Sequence, residues 1–206
     1  MKLRDILIVF VKNPEFGQVK TRLAKTVGHT NALKVYRFLL EHTKNVALET
    51  PVERQICYSD YIDFEDMFEP REFIKGVQRG ADLGLRMKNA FKDNFDDGYK
   101  KIVLIGSDCY EINSEIIVDA FFALDKKDLV LGPANDGGYY LIGMKKPTPF
   151  LFKGKNWGEE NVFIDTLLDA KKLGLSYHLL PTLSDVDDEN DLGPLEELIN
   201  RNSKTG

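Results

Sequence analysis

Lys12, Lys20 and Arg22 stand close together in Lys12-Asn-Pro-Glu-Phe-Gly-Gln-Val-Lys20-Thr21-Arg22, directly after the apolar run Leu7-Ile-Val-Phe-Val11. An unbroken apolar run fits a central strand covered on both faces, and open α/β sheets take ligands beyond the carboxyl ends of such strands. Phosphate is the guest this chemistry suits. Lysine supplies point charge and arginine a planar fork that grips two oxygens, so the three cations together match a di- or triphosphate better than a single carboxylate. Pro14 and Gly17 keep the loop out of helix, and Gly17 and Thr21 join the cations as candidate phosphate contacts. A solvated surface loop would carry the same charges, and the segment by itself leaves both readings open. It is not a P-loop, because Val19 rather than glycine precedes Lys20-Thr21, and the dinucleotide fingerprint G-x-G-x-x-G is missing from it.

Acidic residues supply the complementary chemistry. Asp108 follows the apolar run Lys101-Ile-Val-Leu-Ile-Gly106, so its carboxylate is expected at the same sheet edge as the basic loop. Carboxylates beside a polyphosphate imply Mg2+ or Mn2+, which bridges charges that would otherwise repel. Taken alone, a Ser-Asp pair before a helix is more simply a cap; the nearby cations favour a metal ligand. Four aspartates, Asp185, Asp187, Asp188 and Asp191, follow the last predicted strand. Asp188 suits an N-cap and Asp191 the first helical turn beside the helix dipole, which leaves Asp185 and Asp187 as candidates for a second metal ligand.

Two glycine segments are less decided. Asn135-Asp136-Gly137-Gly138 reads as a tight hairpin turn, and equally as a place where a ligand approaches the backbone with Asp136 at its edge. Asp136 is also a candidate base for an acceptor hydroxyl. Arg79-Gly80-Ala-Asp82-Leu-Gly84-Leu-Arg86 opens a predicted helix; Gly80 and Gly84 would set backbone amides against a base or ribose, with Asp82 or Arg86 giving polar contacts. A capped helix with a surface arginine explains the same residues. Trp157, the chain's single tryptophan, suits core packing or stacking on a substrate ring.

Elements that would position these groups alternate along the chain. The spacing of Ala32, Leu33, Val35, Tyr36, Leu39, Leu40, Thr43, Val46 and Ala47 predicts an amphipathic helix. Strands are expected at 52–58, 73–78, 101–106, 129–132, 138–144 and 175–181. Helices are expected at 81–95, with Leu83, Met87, Ala90 and Phe91 inward, and at 114–124, 161–173 and 189–202. Residues 60–68 form an acidic connection with helical tendency. The short link between 132 and 138 favours antiparallel neighbours, so the sheet should be mixed but mainly parallel, inside a three-layer α/β/α sandwich.

With 206 residues and 43% hydrophobic content the chain can bury a full core, and one domain over 1–206 is expected. A formal charge of -5 gives no basic stripe for nucleic acid. The apolar run at 6–11 is too short to span a membrane, and the default is a cytoplasmic protein. Cys57 and Cys109 fit no metal spacing and make a structural disulfide improbable, while the three histidines lie in separate elements.

In this order the pieces resemble the nucleotide-diphospho-sugar transferase superfamily, the GT-A fold. More closely they resemble an uncharacterised bacterial family of GT-A-like transferases that is similar to the 2-phospho-lactate guanylyltransferases. The resemblance covers nearly the whole chain and rests on Lys12-x-Pro14-x-x-Gly17-x-Val19-Lys20-Thr21-Arg22-Leu23, Gly80-x-Asp82-Leu83-Gly84-x-Arg86-Met87, Gly106-Ser107-Asp108-Cys109, Leu131-Gly132-Pro133-Ala134-x-Asp136-Gly137-Gly138-Tyr139-Tyr140 and Asp185-x-Asp187. It implies that Lys12, Lys20 and Arg22 hold nucleotide phosphates, that Gly80 to Gly84 border the nucleoside, and that Asp108 binds the metal. The chain departs from the family pattern at Tyr110, where many members have proline, and at Trp157-Gly158-Glu159, where they have Trp-Ser-Thr. The expected activity is transfer from a nucleotide-activated donor, foremost an NDP-sugar, to an unidentified small acceptor, with Lys20 and Arg22 sharing the charge of the leaving diphosphate. Nucleotidyl transfer with release of pyrophosphate and a non-catalytic nucleotide-binding module are the alternatives.

Overall fold

A computed structural model describes residues 5–200. Its centre is β1 (Asp5–Val11), whose residues from Ile6 to Val11 are all buried, as an apolar run covered on both faces requires. β2 (Glu53–Tyr58), β3 (Ile74–Val77) and β4 (Lys101–Ile105) run parallel to it. β5 (Leu129–Pro133) and β6 (Tyr139–Met144) form the expected hairpin, and β7 (Tyr177–Leu179) pairs with β5 in parallel. The order across the seven-stranded sheet is β3-β2-β1-β4-β6-β5-β7, with β6 alone antiparallel to its neighbours. This is the mixed, mainly parallel sheet expected.

Alternate residues of β1 serve opposite layers. Leu7, Val9 and Val11 pack with α1 (Ala24–Glu49) and α3 (Ser114–Lys126), whereas Ile6, Ile8 and Phe10 pack with α2 (Leu83–Asp96) and α4 (Val162–Lys172). The α1 stripe from Ala32 to Ala47 is inward as its spacing predicts, and Gly28 breaks the helix at φ +79°. The short α5 (Glu196–Asn200) lies against α1, and Leu192 and Leu195 beside it join Leu23, Val35, Leu39 and Val186 in a third cluster. Cys57 and Cys109 are both buried free thiols. No described helix is long and apolar enough to cross a membrane.

Three local expectations fail for identifiable reasons. Residues 60–68 form bends instead of helix, because the Asp63 and Asp66 carboxylates accept from the Glu65 and Phe68 amides and offer the backbone another partner. Leu83 is exposed: Asp82 caps α2 by accepting from Leu85 N, which leaves Leu83 at the first helical position, outside the inward stripe. The single closing helix is instead two 3-10 turns, Glu189–Asp191 and Gly193–Leu195, followed by α5. Gly193 at φ +43° and Pro194, which has no N–H to donate, interrupt it, and residues 201 and 202 lie outside the described chain.

Candidate active site

The carboxyl ends of β1 and β4, the β5–β6 turn and the segment after β7 meet around one open cleft of about 280 Å³. Lys12, Val19, Lys20, Thr21, Arg22, Tyr36, Asp108, Asp136, Gly158 and Asp187 line it. The basic loop and the acidic residues, read separately from sequence, therefore share one surface.

Backbone hydrogen bonds set this convergence. Val186 N donates to Asp108 O (2.9 Å), so the chain carrying Asp185 and Asp187 runs beside the turn after β4. Leu183 N donates to Pro133 O (3.1 Å) and Asn135 N to Leu183 O (3.0 Å), which ties the same segment to the hairpin that presents Asp136. The next residues hold it from the far side: Asp191 Oδ2 accepts from both Asp187 N and Asp188 N at 2.9 Å, and Asp188 Oδ1 accepts from Asn190 N at 2.8 Å. Asp188 and Asp191 thus form the cap expected of them and leave Asp187 to line the cleft, while Asp185 stays out of its lining.

Lys20 is the central cation. Its ammonium lies 2.7 Å from Asp108 Oδ1 and 3.5 Å from Asp187 Oδ1, and its side chain is only 4% exposed. A solvent-facing loop position predicts an open lysine, and the structure corrects that. Buried Val19 and Leu23 anchor the backbone on either side, and Lys20 itself adopts φ +48°, unique among the described non-glycine residues. Arg22 remains on the outside, 74% exposed, with Nη1 3.6 Å from Asp187 Oδ2. Lys12 is exposed at the rim.

Burial raises the Asp185 carboxyl to about 7, and the charges of Asp108 and Asp136 push the same way against Lys20. A cluster of like charges around one lysine is the environment in which a further cation is favoured. The described residues contain no group of three or more His, Cys, Asp or Glu arranged to hold a metal. Asp108 and Asp187 nevertheless turn oxygens toward one point, and two carboxylates suffice for Mg2+ or Mn2+ when phosphates and water complete the coordination. The donor set fits a metal that is carried in part by its ligand.

Asp136 lines the cleft, and its Oδ1 accepts from Gly138 N at 2.9 Å across the hairpin turn. Gly137 serves the protein's own packing: a Cβ there would lie 2.0 Å from Glu160 O, so the space expected for a ligand is filled by chain. The second glycine segment is also accounted for internally. A Cβ at Gly84 would meet the Trp157 ring at 2.3 Å, and one at Gly80 would meet Arg86 N at 2.7 Å. Asp82 is the α2 cap, and Arg86 Nε donates to Gly80 O at 3.2 Å. Gly17, Gly80, Asp82, Gly84 and Arg86 are all absent from the cleft lining. Trp157 fulfils its core role, half-buried over Gly84 and beside Phe152.

Sequence reasoning missed Tyr36. Read only as one member of the α1 apolar stripe, it places its hydroxyl between two loops: it accepts from Lys12 N (2.8 Å), donates to Lys12 O (3.0 Å) and lies 3.4 Å from Ser107 Oγ. Burial first, then the charge of Asp108, raises its pKa, so it stays a neutral phenol. A lone phenol within the α1 stripe was the available signal.

A family model described as "Uncharacterized protein conserved in bacteria (DUF2064)" matches residues 42–159, more than half of the chain. The chain belongs to this family. It is similar to a "putative nucleotide-diphospho-sugar transferase" from Desulfovibrio desulfuricans G20, with 36% identity, coverage of 99% of this chain and 90% of that one, and a TM-score of 0.89. Its fold is that of the nucleotide-diphospho-sugar transferases. More distant likenesses include the inositol-1-phosphate CTP transferase of T. maritima (15% identity, 100% and 98% coverage, TM-score 0.53) and the 4-diphosphocytidyl-2C-methyl-D-erythritol synthase of Anaerococcus prevotii (11%, 97% and 97%, 0.60). At that identity they speak for the fold alone. No curated protein matches the sequence.

Proposed function

We propose that this protein is a nucleotide-using transferase and, more narrowly, that it transfers a glycosyl group from an NDP-sugar with the help of Mg2+ or Mn2+. The observation that carries the proposal is the meeting of Lys12, Lys20 and Arg22 with Asp108 and Asp187 in one cleft at the carboxyl edge of the sheet. The likeness to the Desulfovibrio protein supports the same class.

In this reading the donor diphosphate enters the basic rim, where Lys12 and exposed Arg22 hold its oxygens by charge-assisted hydrogen bonds. Tyr36 fixes the Lys12 backbone and keeps that rim in register with Ser107 and Asp108. A divalent metal held by Asp108 and Asp187 would neutralise the diphosphate as charge develops on it. Lys20 and Arg22 share the rest of that charge. The free oxygen of Asp136 would receive the acceptor proton from the far side of the cleft.

Nucleotidyl transfer makes similar demands, and the same three cations would hold a triphosphate. Product identity separates the two: glycosyl transfer leaves an intact nucleoside diphosphate, and nucleotidyl transfer leaves pyrophosphate. Incubation with labelled NDP-sugars, and in parallel with NTP plus sugar phosphates or phospholactate, followed by separation of the nucleotide products, reads this directly. Nucleoside diphosphate is expected. Pyrophosphate that forms only with a phosphorylated acceptor would replace the first reading with the second.

A further inference from the structure

We propose that Lys20 is a resident counter-ion of the cleft, one that keeps free divalent metal off the Asp108–Asp187 pair and gives way only to metal arriving with a polyphosphate. The proposal rests on the nucleotide reading of the cleft and adds to it an order of events. Asp108 and Asp187 come from distant parts of the chain, yet both direct Oδ1 at the Lys20 ammonium, at 2.7 and 3.5 Å. That is the point at which one cation would touch both carboxylates. The lysine and the metal therefore compete for one place.

The competition is built into the backbone. A non-glycine residue at φ +48° is uncommon, and here the strained turn between buried Val19 and Leu23 sends the side chain inward instead of out to solvent. Arg22, close by in sequence, stays exposed on the outside and approaches Asp187. The carboxylates are open where the lysine is closed: Asp108 and Asp187 are 43% and 42% exposed. Asp108 Oδ1 itself is buried against the ammonium, so a ligand from solvent meets the exposed part of each carboxylate first, without unfolding anything. Free metal meets the ammonium at short range and is repelled. A polyphosphate changes the balance, because its oxygens offer the ammonium an alternative anion while its metal takes over the carboxylates.

The test needs no turnover. Calorimetric titration of the whole chain with MnCl2 alone compares wild type, Lys20→Met and Lys20→Arg. Loss of the ammonium is expected to tighten Mn2+ binding about tenfold or more, whereas Lys20→Arg keeps the charge and should bind as weakly as wild type. Equal Mn2+ affinity in wild type and Lys20→Met would overturn the proposal. If Lys20→Met does not fold, wild-type 15Nζ lysine NMR decides the matter. Mg2+ alone should leave the Lys20 signal in place, and Mg2+ with a nucleoside diphosphate should move it; movement with Mg2+ alone overturns the proposal. Failure of any nucleotide to bind would count against the proposed function, while the Mn2+ comparison still reads Lys20 by itself.

Discussion

Two lysines in this molecule have almost the same burial and the same kind of partner, and they do different things. Lys75 on β3 is 5% exposed and lies 2.6 Å from Asp66 Oδ1, while Lys20 is 4% exposed and lies 2.7 Å from Asp108 Oδ1. The acids differ. Asp66 is 12% exposed and also accepts from Tyr58 Oη at 2.5 Å and Phe68 N at 3.0 Å, so both of its oxygens are engaged by the protein and its pair is closed. Asp108 and Asp187 face a solvent cleft with capacity left over. A buried lysine marks a ligand site only when its counter-ions remain reachable.

Breaking the closed pair should have the largest effect on folding. Lys75→Met leaves Asp66 without its cation and is expected to cost about 3 kcal/mol of stability, measured by urea unfolding. Nucleotide binding by the folded fraction should stay unchanged. Breaking the open pair should do the reverse: Asp108→Asn keeps the shape, removes the charge a hard cation needs, and is expected to weaken Mg2+-dependent nucleotide binding by about tenfold or more. Unchanged metal dependence would shift the ligand role to Asp185 and Asp187. Arg22→Ala, on the exposed rim, should reduce nucleotide affinity several-fold and alter stability by less than about 0.5 kcal/mol.

The smallest expected effect lies far from both. Asp128 is held at about 2, below the usual aspartate range, by the Ser176 hydroxyl and then the Ser176 amide. A depressed carboxylate stabilises the fold above its unfolded pKa, and that contribution disappears as pH falls from about 4 toward 2. Urea unfolding across this range should show wild type converging on Asp128→Asn. A constant gap between them would rule the assignment out.

Much of the architecture was legible because apolar periodicity reports directly on burial. Leu7–Val11, the α1 stripe and the β5–β6 hairpin all stand where their patterns put them. The cap formed by Asp188 and Asp191 was legible too, since a helix N-terminus draws such residues by local chemistry. Lys20 was not. Its partners Asp108 and Asp187 are remote in sequence, Asp187 by 167 positions, and no local pattern carries those contacts. The glycines at 80, 84 and 137 are ambiguous in another way. A missing Cβ makes room, but sequence does not say whether a ligand or the protein's own Trp157 and Glu160 will fill it.

On the proposed reading, the cleft between the basic loop and the aspartates binds a nucleoside diphosphate or NDP-sugar together with metal. Calorimetric titration of wild type and Arg22→Ala with a panel of nucleoside diphosphates and NDP-sugars, with and without Mg2+, tests it most directly. At least one member should bind wild type, more tightly with Mg2+, and Arg22→Ala should bind it more weakly. No binding by any member at millimolar concentration, in either condition, would contradict the account.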